Sequence, residues 1–342
     1  MEKCKFSFYY LSLLLLLFAC DNDDDNFSKS GSEELILDGY LIVNGNSYSS
    51  SLDIISDDLQ NIESSIFLAE NNSELPSISN IIFKEDLAYF FFNNSNNIYI
   101  LYKSNLRVKE IFKIQQNILG SHIDENNDLY LTTNNELLIY NNVDLFNQFP
   151  ETYPLQENYK KIIDIGENLF LYNYGGISSS ISVFNKTKKE ITDEFEFENA
   201  TNFTREGNFL YFLSGNYITE FSLVTKSITK QISILNDENY NKSFQVLKNR
   251  VYLFSGLNLY AIPISENQID EEDILLPFEN NEQGNRLAQN MKILDNYIFL
   301  SFNNFWDPSD QNQLYVYNLE GEFQKSFFTN GGMKELYKIE ND

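Results

Sequence analysis

The chain has 342 residues, a formal charge of −26, a hydrophobic fraction of 42% and an aromatic fraction of 15%. That apolar content, with 22 Tyr and 29 Phe, excludes global disorder and is enough for a large core. The acidic balance excludes a basic face for nucleic acid or anionic lipid.

The N-terminus carries a processing signal. Lys3 and Lys5 open a short basic region, and residues 6–18 form an apolar run that is unbroken leucine over 13–17. The run is short for a membrane-spanning helix and reads as a signal peptide over residues 1–19. It ends Leu17, Phe18, Ala19, Cys20, which resembles the bacterial lipobox. There a small residue precedes a cysteine that is lipidated and becomes the mature N-terminus. Phe18 is bulkier than usual at its position. Cys4 leaves with the signal and Cys20 is acylated, so the mature chain has no disulfide. Residues 20–34 begin with the acidic run 21–25 and read as a flexible tether. An acidic run at this place resembles the signal that exports lipoproteins of Bacteroidota to the outer face of the outer membrane. A generic solvated linker is the alternative.

From residue 35 to 342 the sequence repeats. A short apolar segment starts at Gly39, Leu87, Asp128, Asn168, Asn208, Arg250 and Asn296, and the starts are 40–48 residues apart. Each copy holds alternating Tyr, Phe, Leu and Ile, at the period of a β-strand. Most follow an apolar segment and a turn, and precede a polar turn and a further strand, as Gly215-Asn216 precedes Tyr217. Four short strands, seven times, predict an all-β fold, a seven-bladed β-propeller. The copy at Gly39 has no inner strand before it, whereas residues 333–339 look like one with no blade to follow. The C-terminal strand is therefore expected to join the N-terminal blade and close the ring, which removes exposed edges. The longest irregular stretches are 68–77, 147–159, 265–288 and 303–313, none long enough for a second domain. The acidic 265–288 stretch lacks the ordered spacing of a calcium loop and reads as solvated.

Residues 38–46, 51–55 and 88–98, with Asn173, Tyr174 and the ending 315–328, resemble YncE-like seven-bladed propeller lipoproteins of Bacteroidota. The resemblance covers nearly the whole mature chain, through diffuse blade signatures; the Gly-x-Pro turns common between such blades are largely missing. Some relatives capture vitamin B12 at the cell surface and pass it to a TonB-dependent outer-membrane transporter. The resemblance thus implies a surface-exposed, lipid-anchored outer-membrane protein that captures a small molecule, with a corrinoid one option and such a transporter as partner.

Catalytic motifs do not stand out. There is one histidine, His122, so His-rich zinc sites are excluded. No phosphate-binding glycine loop or nucleophile elbow occurs, and no cofactor is expected. The expectation is a binder and not an enzyme. On a propeller the loops between the second and third strands, and those entering the inner strands, surround the channel mouth. Here they hold Tyr48, Asn94, Asn96, Asn173, Tyr174, Asn216, Asn303, Phe305 and Trp306, with Asn46, Asn134 and Tyr217 beside them. Amides donate and accept hydrogen bonds, and rings offer flat apolar area. Asn is also an ordinary turn residue. Two other readings stay open: an interaction scaffold in a surface complex, and a carboxylate-based hydrolase or lyase.

Overall fold

The computed structural model describes residues 37–45, 48–143, 149–174, 178–198, 200–235, 242–255, 258–278, 286–304 and 312–340. The signal, the lipidation candidate Cys20 and the tether lie outside them, as do Asn46, Phe305 and Trp306.

The seven apolar copies become the second strands of seven sheets, the blades of a β-propeller. Blade 1 is built from residues 39–76 and the C-terminal strand Met333–Ile339. Blades 2 to 7 then follow in chain order. The inner strands of blades 2 to 7 are Ile78–Lys84, Gly120–Ile123, Lys161–Ile165, Ala200–Glu206, Lys242–Leu247 and Arg286–Leu294.

Burial explains why the second strands are so apolar. Each is sandwiched between two neighbouring blades, so both faces of its pleat are covered. In blade 3, Leu129 and Leu131 pack with Tyr89, Phe91 and Ile98 of blade 2, while Tyr130 points the other way, against Ile162 and Leu169 of blade 4. In blade 5, Leu210 and Phe212 join Phe170 and Tyr172 of blade 4, and Tyr211 and Leu213 join Phe244 and Val246 of blade 6. Each fully buried Leu or Phe contributes roughly 1.5–3 kcal/mol. Outer strands see solvent instead: Ser227–Ile234 is largely exposed in its first half and alternates only toward its end, where Ile232 and Ile234 are buried.

The ring closes as expected. Gly39–Gly45 pairs antiparallel with Met333–Ile339, setting Tyr40 opposite Lys338, Leu41 opposite Tyr337 and Ile42 opposite Leu336. Gly39 is needed at the start: its φ is +137°, and a Cβ there would lie 2.1 Å from the Ile55 carbonyl oxygen.

Three stretches that read as irregular hold structure. In blade 1 the outer strand shrinks to Ile62–Glu63 and Leu75–Pro76, with the helix Ile66–Asn71 between them. Ile66 and Phe67 are buried, and Asn71 straps the helix to blade 2, donating to the Leu106 carbonyl at 2.9 Å and accepting from Val108 N at 2.9 Å. Glu151–Pro154 is the outer strand of blade 3. In the acidic stretch, Gln268–Ile269 pairs parallel with the outer strand of blade 5, and Ile274–Pro277 completes blade 6. Asp270 caps the turn between them, accepting from Glu272 N at 2.9 Å, while Asp273 accepts from Asp270 N at 2.9 Å. Those carboxylates are used locally. No helix among the described residues is long and apolar enough to cross a membrane.

Candidate functional site: the central channel

An inner strand pairs with its blade along one edge only. Its other edge presents backbone N–H and C=O groups to the channel, and buried groups of this kind need partners. Side chains of adjacent inner strands supply them. Gln245 in blade 6 grips blade 7 with two bonds, donating Nε2 to the Ile293 carbonyl at 2.8 Å and accepting from Ile293 N at 2.8 Å. Met291 N donates to Ser243 Oγ at 3.2 Å. Asn290 of blade 7 donates to the Lys334 carbonyl of blade 1 at 2.8 Å. Tyr337 of blade 1 accepts from Ile81 N of blade 2 at 3.1 Å, and Asn80 donates to Ser121 Oγ of blade 3 at 3.0 Å. Between blades 5 and 6, Asn202 donates to the Lys242 carbonyl at 2.6 Å.

Within this frame lies a cavity of about 290 Å³, walled by inner strands of five blades, 4, 5, 6, 7 and 1. Its charged lining is Lys161, Arg205, Lys292 and Glu335. Lys292 and Glu335 form an ion pair at 2.6 Å. Arg205 donates Nε to the Gly207 carbonyl at 2.9 Å and Nη1 to the Asp164 carbonyl at 3.4 Å. Lys161 makes no hydrogen bond or ion pair with the described residues. Water reaches its side chain, yet protein surrounds the channel, and this desolvation lowers its pKa. Glu335 acts in the opposite direction, and Lys292 adds to the lowering.

A second charged group joins blades 3 and 4. Asp164 lies 2.9 Å from Lys186 Nζ and 3.7 Å from His122 Nε2. Lys186 also lies 3.8 Å from Asp124, whose Oδ2 accepts from Tyr130 Oη at 3.1 Å. Burial alone would raise the Asp164 pKa, but His122 and Lys186 outweigh it and hold the carboxyl below its ordinary value. Burial, then Asp124, pushes the Tyr130 hydroxyl up. His122 stacks on Tyr130 with ring centres 6.4 Å apart. The one histidine thus belongs to a blade joint.

The sequence-selected loops lie between second and third strands, on the face where inner strands begin. Tyr48 is 89% exposed, and Asn94 is exposed in a turn with φ +53°. Asn96 donates to the Ile114 carbonyl at 3.0 Å, and Asn173 to Glu157 Oε2 at 2.9 Å. Asn134 and Tyr217 are exposed. Asn303 belongs to the second strand of blade 7, opposite Leu287. Asn216 and Tyr174 are tied to the start of inner strands: Asn216 Oδ1 accepts from Lys242 Nζ at 3.4 Å, and the Tyr174 carbonyl from Lys160 Nζ at 2.7 Å. The Tyr174 ring packs on Phe203 at 5.8 Å, and burial followed by Glu335 raises its pKa. Glu335 therefore acts on both Lys161 and Tyr174. Among the described side chains, none of the sequence-selected residues lines the cavity; Lys161, Arg205, Lys292 and Glu335 were not selected. The one available signal was the pair Lys160, Lys161 opening an otherwise apolar inner segment.

No family model and no characterised protein sequence matches the chain. Solved structures match in fold. A quinonprotein alcohol dehydrogenase-like protein of Bacteroides thetaiotaomicron is similar with a TM-score of 0.66 at 12% identity, over 89% of this chain and 78% of that one. The dihydro-heme d1 dehydrogenase NirN, solved in complex with DHE, has a TM-score of 0.58 at 10% identity, over 89% and 75%. BamB of Moraxella catarrhalis has 0.51 at 13%, over 86% and 84%. At such identities the likeness is one of propeller fold.

Proposed function

We propose that the protein is a ligand-capturing propeller, without catalysis of its own, held to the outer membrane by a lipid on Cys20 and facing the cell exterior. The observation that carries the capture reading is the cavity of about 290 Å³, which opens among polar inner-strand side chains and holds an ammonium without a partner among the described residues. The lipid anchor rests on Leu17 to Cys20 and the acidic run behind it. His122, the residue a hydrolytic triad would require, is engaged with Asp164 and Tyr130. A corrinoid with its appended nucleotide is several times larger than the cavity and would have to rest on the outer face, across the loop tips. Hand-over to a TonB-dependent transporter would follow capture on that exposed face.

The test is a thermal-shift screen of the purified protein against small organic acids, sugars, cobalamin and cobinamide. A saturable rise in the unfolding temperature with one of them is expected; no shift with any probe overturns capture. Metabolic labelling with a fatty acid, lost in Cys20→Ser, checks the anchor.

One observation favours a scaffold role as a second reading. Between the outer parts of blades 2 and 3 lies a groove of about 330 Å³ flanked by Phe149, which is 95% exposed, and Pro150. Exposed apolar surface of this kind suits protein contact.

A further inference from the structure

The channel carries the opposite charge to the molecule around it. The chain has 50 acidic and 24 basic residues, yet the cavity lining holds three basic side chains and one acidic. Lys292 and Glu335 neutralise each other at 2.6 Å. Among the described residues Arg205 donates only to carbonyl oxygens, and Lys161 makes no hydrogen bond or ion pair. Lys161 and Arg205 are both exposed to water at the cavity wall, and neither has a carboxylate partner among the described residues.

Water reaches the Lys161 ammonium in the cavity, and it has no counter-charge among the described residues, so an entering anion meets it without displacing a protein partner. A neutral neighbour is at hand: Asn202 lines the same cavity, and its amide has a second N–H beyond the one given to the Lys242 carbonyl, whereas Ser243 and Asn290 are engaged between blades. The volume, about 290 Å³, lies at the lower end of small-ligand sites. We propose that the central channel binds a small anion of the carboxylate or phosphate class, with Lys161 as its direct partner and Arg205 as the second cation. This inference rests on the capture reading and names its ligand class. The bound anion supplies the charge the fold withholds, and charge-assisted hydrogen bonds to it are about twice as strong as neutral ones. The surrounding negative field repels anions at long range, so selectivity comes from the channel wall.

The test is isothermal titration of the full protein with inorganic phosphate, acetate, succinate and citrate at matched ionic strength, beside neutral sugars and cobinamide. Saturable binding of at least one anion is expected, and the phosphate and carboxylate arms tell the two sources apart. Lys161→Met should weaken that binding about tenfold or more, Lys161→Arg should retain most of it, and Arg205→Gln should weaken it less. The surface change Lys189→Met should have no effect. Unfolding temperatures of Lys161→Met at or above the parent's show that the fold is intact. If no anion binds, or Lys161→Met binds as the parent does, the anion assignment is overturned. If a neutral probe then binds, capture stands without it; if nothing binds, both fall.

Discussion

The joints from blade 6 through blade 7 to blade 1 do the same work as the joint between blades 3 and 4, with different chemistry. On the first side Gln245, Ser243 and Asn290 hold backbone groups of the next inner strand with neutral hydrogen bonds. On the second, Asp164, Lys186, Asp124 and His122 hold the blades through charge. Neutral bonds do not titrate, and they satisfy backbone groups that would otherwise face the channel unpaired. The charged group joins the two blades side chain to side chain, and its backbone bonds stay within one turn, where Asp124 accepts from Asn126 N and Asp128 N at 2.9 Å. The neutral bonds therefore anchor the ring at every pH, beside the Lys292–Glu335 pair across blades 7 and 1, and the charged group adds stability only where Asp164 is ionised.

The strongest way to break this contrast is to remove the strand where the neutral side ends. Met333–Ile339 receives Asn290 and passes Tyr337 on to Ile81, and it is the inner strand of blade 1. Deleting residues 333–342 should abolish cooperative thermal unfolding followed by circular dichroism, because it opens the ring and exposes the edge of Gly39–Gly45. A sharp transition near the parent's would show that closure is dispensable. Next in size, Gln245→Ala strands two backbone groups of Ile293 and should cost about 1–3 kcal/mol in urea unfolding, by the same amount at neutral and mildly acid pH.

The smallest expected effect tests the charged side. The folded carboxyl of Asp164 is held below its ordinary value, so its contribution is present above the unfolded pKa, about 3.9, and is lost as pH falls through the folded value. Asp164→Asn should therefore lose about 1 kcal/mol near neutrality, and less as the pH drops below about 4. The loss is modest because Lys186 keeps Asp124 nearby. Urea midpoints compared across that range decide it; a gap that stays constant in acid would remove the ionic reading.

The blades were legible because their second strands are buried on both faces. Phe90 to Phe92 or Leu169 to Tyr172 must be apolar whichever neighbour they meet, so the pattern survives without knowing the neighbour. The helix Ile66–Asn71 was not legible. Six residues give too few turns for a helical stripe, and what holds it is its two buried apolar side chains and Asn71, which reaches across to blade 2. The loop face was legible from turn residues. Of those chosen, the structure ties Tyr174 and Asn216 to the lysines where inner strands begin, while Asn96 and Asn173 hold groups of their own surroundings.

Local order along the chain was thus sufficient to specify strand, turn, repeat count and ring closure, since each depends on a period of two or on a spacing near forty residues. The channel is another matter. Lys161, Arg205, Lys292 and Glu335 come from four blades, and each by itself reads as a charged residue on a strand. Only closing the ring sets them around one cavity, pairs Lys292 with Glu335 and leaves Lys161 unpaired among the described residues. Charge compensation depends on distance through space, and distance along the chain does not record it.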